Sequence, residues 1–332
     1  MNRRHVAFFV SAGAGVVYGV MARWAFDAEP RSDGIRNAFA AVSLAYLFLV
    51  PFALGVLTAA LGPRDLKPPS RNWTYWILMP LVSATLLMLA VVALAWEGAI
   101  CLVMAAPIVL TMAMLGGVVL GAVVTYRGRR APPGAVASCL VLPFLLAPAE
   151  AMLPVPNEMR DVVSVVDIDA PPEVVWQNVV RVPLIREDEQ RDGFFQRIGI
   201  PRPLEATLSR DGIGALREAR FAGGILFHEH VTDWEPQRRL GFTIGVDAAT
   251  VANDVLDYHV RVGGAYFDVV YGRFDLEPHG SGTRLHLLSR HRLSTAFNFY
   301  SSLWTDAVMQ DIQDNICRVI RARSEAAAPR VR

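Results

Sequence analysis

Cysteine and lysine are scarce in this sequence of 332 residues, and each shortage excludes something. The three cysteines, Cys101, Cys139 and Cys317, lie far apart and form no CxxC pair. The sequence therefore predicts neither a disulfide framework nor a zinc site, and it implies no cofactor. Lys67 is the only lysine, and with the abundance of alanine, valine, glycine and proline this bias indicates a GC-rich bacterial genome.

Several functional motifs are missing as well. The formal net charge is +1, and no basic stripe with interleaved aromatic residues occurs, which argues against a nucleic-acid partner. The sequence has no nucleophile motif, no glycine-rich phosphate loop and no pair of carboxylates in a recognisable catalytic setting. No catalytic residue is predicted, and an enzyme is the less favoured class of protein.

Charged residues are nearly absent from long parts of the first half of the chain. Hydrophobic residues make up 53% of the sequence, mean hydropathy is +0.33, and uncharged runs cover residues 38–61, 74–96 and 99–125. Each run is long enough to cross a hydrocarbon layer of about 30 Å as a helix. Because charges are frequent in the second half, we predict a transmembrane helical domain over residues 1–153 and a water-soluble domain over residues 154–332.

Two further apolar segments bring the expected number of spans to about five. The segment from Val6 to Ala22 is slightly short, but Arg23 can extend its charge towards the membrane surface. A cleaved signal peptide is the alternative, although the run is long for one and lacks a good cleavage site. Residues 135–153 contain Pro143 and Pro148, so this segment is either a kinked span or a helix in the interface.

The expected role of these spans is to anchor the chain. Gly15 with Gly19, and Gly117 with Gly121, have the spacing that lets helices approach closely within one bundle. No span is expected to carry a buried acidic or basic pair, as a transporter or a proton relay would.

Positive charges in the loops predict the orientation of the spans. They precede the first span and lie between the second and third and between the fourth and fifth, at Arg3, Arg4, Arg64, Lys67, Arg71, Arg127, Arg129 and Arg130. The positive-inside rule then places the N-terminus in the cytoplasm. With five spans the soluble domain lies outside the cytoplasm, and we expect this arrangement in a bacterial inner membrane. With four spans it would lie inside.

The second half of the sequence has an α+β pattern. Valines between Asp161 and Ile168 predict a strand, and Asp169-Ala-Pro-Pro-Glu173 begins a helix. Strands follow from Leu204 onwards, with the last runs at residues 255–262, 266–277 and 283–293. A final helix from Thr295 to Ala322 carries an apolar stripe of Phe297, Trp304, Val308, Ile312, Ile316 and Val319. This order predicts a curved antiparallel sheet that grips its last helix.

An antiparallel meander over residues 212–246 supplies the first candidate site. If Ala222-Gly223-Gly224 is a three-residue hairpin loop, Arg217 lies opposite Glu229 on an otherwise apolar face. Burying even a neutral polar group without a partner costs about 2–7 kcal/mol, and burying a charge costs more. An ion pair on an otherwise apolar face therefore indicates a cavity. A shorter loop would instead place Arg217 opposite His230 in solvent.

Four more residues are candidates for the same cavity. Phe227, Phe242 and Trp304 would line it, and His291 shares the phase of the inward leucines on the last strand; the alternative is that all four are ordinary core residues. For Arg217 and Glu229, the alternative to a role in orienting a ligand is a purely structural ion pair. His228 and His230 face outward in this phase and have no third ligand, so no metal site is predicted.

A family resemblance covers Met159 to Arg323. The segments I-D-A-P-P-E-V-V-W (168–176), G-I-G-A-L-R (212–217), E-H-V-T-D-W-E-P-Q-R-R-L (229–240) and F-D-L-E-P-H-G-S-G-T-R-L (274–285) are similar to the START-like superfamily, also called SRPBCC. Its members include polyketide cyclase/dehydrase and lipid-transport domains.

The resemblance implies a helix-grip domain with a deep apolar cavity between sheet and helix. The expected function is membrane-anchored binding, and possible transfer, of a lipid or another hydrophobic small molecule. One alternative is a polyketide cyclase-like enzyme acting on a hydrophobic cyclic substrate. Another is a structural or sensory module whose pocket has collapsed.

Overall fold

The computed structural model describes residues 3–26, 42–62, 73–128, 131–191, 193–246 and 261–328. The chain divides into two compact units, Met1–Val155 and Pro156–Arg332.

The N-terminal unit consists of apolar helices. They are α1 (Arg3–Ala25), α2 (Val50–Ala60, preceded by the π-helical turn Ala45–Leu49), α3 (Trp73–Ala93), α4 (Ala99–Arg127) and α5 (Pro133–Glu150). Among the described residues, four helical segments are long and apolar enough to cross a membrane: His5–Ala25, Trp73–Ala93, Ala99–Arg127 and Pro133–Glu150. Many of their large apolar side chains, including Phe9, Leu89 and Leu145, are exposed on the protein, as expected for a surface that lipid covers.

The second and fifth predicted spans have different outcomes. Residues 38–41 of the second one lie outside the described residues, and the described apolar helix Ala45–Ala60 is shorter than a full span. The fifth segment is a continuous helix in spite of Pro143 and Pro148. Glu150 ends this helix, and its carboxylate accepts the backbone N–H groups of Leu44 and Ala45 at 2.6 and 2.9 Å. The carboxylate therefore caps the N-terminal end of the helical turn that precedes α2.

Small residues let the helices of this unit approach closely. Gly55 of α2 and Gly116 of α4 face each other's helix so tightly that a methyl group on either would overlap a backbone carbonyl of the other helix. Gly15 faces Thr58 and Ser83, Gly19 faces Leu87, and both Gly117 and Gly121 face Trp76. The predicted packing of these glycines within one bundle is confirmed.

The expectation that no span carries a buried charged pair is wrong. Arg23 is only 4% exposed, and its guanidinium lies 2.7 Å from the carboxylate of Glu97, in the loop between α3 and α4. The guanidinium also donates to the carbonyl of Trp96. The N-terminal unit thus holds a buried ion pair at the end of α1, because a loop distant in sequence supplies the acidic partner.

The C-terminal unit combines an antiparallel sheet with a long final helix. The strands are β1 (Glu158–Ile168), β2 (Pro203–Leu208), β3 (Leu216–Phe221), β4 (Leu226–Glu235), β5 (Arg239–Val246), β6 (Phe267–His279) and β7 (Gly282–Leu293). The helices are α6 (Pro172–Val180), α7 (Phe194–Arg197) and α8 (Asn298–Ala327). The seven strands within the described residues are arranged in the order β1-β7-β6-β5-β4-β3-β2 and curl into a half-barrel.

This architecture confirms the predicted α+β class with its curved sheet and long C-terminal helix. Pro172 begins α6 in the first turn, where the missing N–H of proline has no helical partner to lose. Gly280, with φ of +61°, forms the tight turn between β6 and β7. Most of the predicted strand at 255–262 lies outside the described residues.

The two faces of the sheet differ in chemistry. The inner face carries apolar residues that form one core with α6 and α8, including Val231, Leu240, Phe274 and Leu285 of the sheet and Ile320 of α8. The outer face carries cross-strand ion pairs between arginine and aspartate, such as Arg284 with Asp167 at 2.7 Å and Arg290 with Asp161 at 2.6 Å. The outer face is therefore solvated, and the interior lies between the inner face and α8.

The buried face of α8 differs from the predicted stripe. Trp304, Val308, Ile312 and Ile316 are only half-buried. The fully buried positions are Asn298, Ser301, Ser302, Met309, Gln313, Asn315, Cys317, Val319, Ile320 and Ser324. The buried face is rotated towards polar residues, so the interior contains groups that helical apolar periodicity does not detect.

Candidate functional site

The hairpin of β3 and β4 has the predicted three-residue loop. Gly223 and Gly224 take left-handed φ values of 75° and 77°, and the Phe221 amide donates to the Ile225 carbonyl at 2.9 Å. Arg217 is paired with Glu229 across the two strands. His230 is opposite Leu216, so the alternative register is wrong.

Arg217 and Glu229 form a buried ion pair on the inner face. They are 5% and 6% exposed, and Nη1 of Arg217 donates to Oε2 of Glu229. The Arg217 guanidinium also lies 5.4 Å from the ring centre of Phe242, within cation–π range. Burial raises the pKa of the Glu229 carboxyl, and Arg217 opposes that rise by stabilising the carboxylate.

The same guanidinium also holds the end of α6. Its Nε and Nη2 atoms donate to the carbonyls of Val180 and Val179, each at 3.3 Å. These carbonyls belong to the last turn of the helix, where the backbone acceptors lack helical partners. Arg217 therefore fixes α6 against the sheet, and this supports a structural role for the pair beside any contact with a ligand.

The predicted aromatic residues occupy different parts of the interior. Phe242 is buried in the core between the sheet, α6 and α8. Phe227 is buried in a neighbouring cluster with Ala219 and Val319, and its ring lies 5.0 Å from that of Phe221. Trp304 is half-buried on the first half of α8. The structure brings Phe242 into contact with the ion pair and places the other two elsewhere.

His291 is completely buried at the far end of β7, with an exposed fraction of 0%. Its Nε2 atom lies 3.3 Å from Thr305 Oγ1 and 3.5 Å from Asp306 Oδ1, both on α8. Arg160 binds the same carboxylate through two hydrogen bonds of 3.0 and 2.6 Å. Burial lowers the pKa of His291, which favours the neutral ring.

Sequence reasoning missed Gln313 of α8. It is 1% exposed, and its Nε2 atom donates to the Val162 carbonyl of β1 at 3.0 Å. Gln313 stands four residues from both the buried Met309 and the buried Cys317 and so shares their side of the helix, but neither of these two residues belongs to the predicted stripe.

The outer face offers polar groups of a different kind. A depression on this face, with a volume of about 370 Å³, is lined by residues that include Arg239, Arg273 and Asp275. Asp275 accepts from Arg239 Nε at 2.6 Å and from Arg273 Nε at 2.7 Å. His228 and His230 lie on this face as predicted. Among the residues that the structure describes, no group of three or more His, Cys, Asp or Glu side chains could hold a metal ion.

No protein-family model matches the chain, and a search of curated proteins finds no match. Among solved structures it is similar to an uncharacterized protein from Rhizobium leguminosarum, with 13% identity over 51% of this chain and 98% of that one and a TM-score of 0.31. Ara h 8.0201 matches at 13% identity over 50% and 98% of the two chains, with a TM-score of 0.31. DynU16, a protein of the dynemicin biosynthetic locus, matches at 17% identity over 50% and 49%, with a TM-score of 0.29.

Proposed function

We propose that the C-terminal unit binds a lipid or another hydrophobic small molecule in its interior, between α8 and the inner face of the sheet. Membership of the START-like superfamily is part of this proposal. The N-terminal helices would hold the chain in a bacterial inner membrane. Tethering would raise the effective concentration of the binding domain close to its lipid source.

The observation that carries the proposal is the set of buried polar groups within an apolar interior. Arg217 and Glu229 are both buried on the inner face, next to the aromatic ring of Phe242. Hydrophobic binding sites combine an apolar lining with a few fixed polar groups that orient the ligand. Arg217 and Glu229 would orient a polar group of the ligand, while Phe227, Phe242 and Trp304 would contact its apolar part.

Native mass spectrometry of the purified full chain tests this function. After repeated detergent exchange, we expect the wild-type protein to retain about one apolar molecule per chain, because the interior would form a single binding site. Met309→Trp adds bulk to the interior on the buried side of α8, and it should lose the retained molecule. Leu303→Trp is the matched control, because Leu303 lies on the exposed side of the same helix.

The variants separate interior binding from lipid that adheres to the membrane helices. Equal retention by wild type and by a folded Met309→Trp variant would contradict the proposal. Circular dichroism of both variants checks that the fold is kept.

A further inference from the structure

Two buried polar side chains flank one apolar cluster at the β1–β7 edge of the interior. The cluster consists of Val162, Val269 and Met309. His291 is paired with Val269 across β6 and β7, and its ring lies 5.4 Å from that of Phe267, which packs against the cluster. Gln313 reaches the same cluster from α8, one turn after Met309, and binds the backbone of Val162.

The contacts of His291 fix which ring nitrogen carries the proton. The Thr305 hydroxyl donates to the Ser302 carbonyl at 3.3 Å, so its oxygen faces His291 as an acceptor. Asp306, also beside Nε2, is a carboxylate held by Arg160. Two acceptors at Nε2 require an N–H there, and the neutral ring then has a bare lone pair at Nδ1. Among the described residues, no hydrogen-bond donor meets this Nδ1 atom.

Gln313 has the same polarity. Its amide nitrogen must be the atom at the Val162 carbonyl, because an oxygen there would face another oxygen. The amide oxygen is thus the remaining group, and within the described part of the chain it too has no donor. Both free atoms at this end of the interior are acceptors in a fully buried setting, where an unmet polar atom is unfavourable.

We propose that this end of the interior recognises a neutral hydroxyl group, with Nδ1 of His291 as its acceptor, so that the ligand is a largely apolar alcohol. The inference rests on the proposed binding function and specifies its ligand class. The Oε1 atom of Gln313 is a second hydrogen-bond acceptor at this end of the interior, so it also favours a ligand group that donates a hydrogen bond. A fatty-acid carboxylate or an ester would place its own lone pairs against these acceptors, and the site would disfavour both.

Two matched probes test this preference with the full chain in detergent micelles. The probes are hexadecan-1-ol and hexadecyl methyl ether, which share the alkyl chain and differ in the hydroxyl donor. Gas chromatography with mass spectrometry measures the probe retained per protein after gel filtration, corrected for protein-free micelles. We expect wild type to retain the alcohol about tenfold better than the ether, which corresponds to about 1.4 kcal/mol.

Variants on β7 place the preference at His291. His291→Phe removes the acceptor, so the ratio of alcohol to ether should fall to nearly one while ether retention is kept. His286→Phe is the matched control on the outer face of the same strand, and it should keep the wild-type ratio. Nitrogen-15 NMR of wild-type protein labelled at histidine gives a second readout that needs no variant. The alcohol, and not the ether, should shift the Nδ1 resonance of one histidine whose pKa lies below the ordinary histidine value.

Each failure has a distinct signature. Equal retention of alcohol and ether by wild type, or a preference that survives in a folded His291→Phe protein, would overturn this inference while leaving hydrophobic binding intact. An unshifted Nδ1 resonance on addition of retained alcohol would overturn it as well. Retention of neither probe would overturn the binding function together with this inference.

Discussion

At the scale of single residues, Arg217 is the side chain on which most of the candidate site depends. It connects β3 to Glu229 on β4 and to the last carbonyls of α6. Both charged groups are buried away from water, so the attraction between the two charges must offset their lost hydration. The pair therefore sets the geometry of this part of the interior whether or not it also touches a ligand.

Replacing only Arg217 should strongly destabilise the C-terminal unit. Arg217→Met leaves Glu229 buried without its partner, and we expect a loss of about 3–5 kcal/mol. Hydrogen–deuterium exchange of the β3 and β4 amides in the full chain measures the opening free energy of this unit separately. The double variant Arg217→Met/Glu229→Leu should recover part of the loss.

An outer-face pair provides the control for this substitution. Arg290 pairs with Asp161 but is 47% exposed, and Arg290→Met should cost less than about 1 kcal/mol. Equal effects of the two single substitutions would contradict the buried role of Arg217.

His291 should make the free energy of unfolding depend on pH. The pKa of His291 is lowered in the folded protein. The imidazole therefore takes up a proton at about pH 6.5 in the unfolded chain and only at lower pH in the folded chain. Its contribution is thus present above that pH and is lost as pH falls. Between about pH 7 and 5, wild type should lose more stability than His291→Phe in urea denaturation followed by tryptophan fluorescence. Parallel pH profiles for the two proteins would refute this.

The residues of the site differed in how far the sequence could predict them. Alternation along β3 and β4, with the glycines of the loop, sufficed to place Arg217 opposite Glu229. Gln313 could not be found in this way, because a polar residue on an amphipathic helix normally faces water. Its burial depends on how α8 is rotated against β1, a long-range property of the fold.

At the scale of elements, strands were easier to predict than the ends of apolar helices. The period of two in β6 and β7 gave strands whose ends agree with the structure within a few residues. In the N-terminal unit, uniformly apolar sequence carries no such period, and the helix Ala45–Ala60 is shorter than the uncharged run that predicted it. The pairing of Arg23 with Glu97 joins positions too distant in sequence for local patterns to reveal.

The crossing of α2 and α4 should tolerate no added methyl group. A Cβ on Gly116 would overlap the Phe52 carbonyl of α2, so Gly116→Ala forces the two backbones apart. We expect a loss of about 1–3 kcal/mol, seen as a lower temperature of thermal aggregation in detergent. Gly13→Ala on α1 is the control, because a Cβ there meets nothing within 4 Å, and it should be neutral or slightly stabilising. Equal effects would contradict the close crossing.

At the scale of the whole molecule, the side of the membrane that the C-terminal unit occupies follows from the number of crossings. If the five apolar segments all cross, as the sequence predicts, alkaline phosphatase fused after Arg332 should be active, because it folds only outside the cytoplasm. Green fluorescent protein fused at the same site should then show no fluorescence. The opposite pair of results would indicate four crossings and a cytoplasmic C-terminal unit.

The most direct test of the account is photo-crosslinking of the full chain in liposomes with a hexadecan-1-ol that carries a diazirine near the middle of its chain. Mass spectrometry of the crosslinked peptides locates the probe. If the interior of the C-terminal unit holds the ligand, we expect labelled peptides from β7 and from the buried side of α8, and unlabelled competing alcohol should suppress them. Labelling confined to the apolar helices of the N-terminal unit would contradict the account.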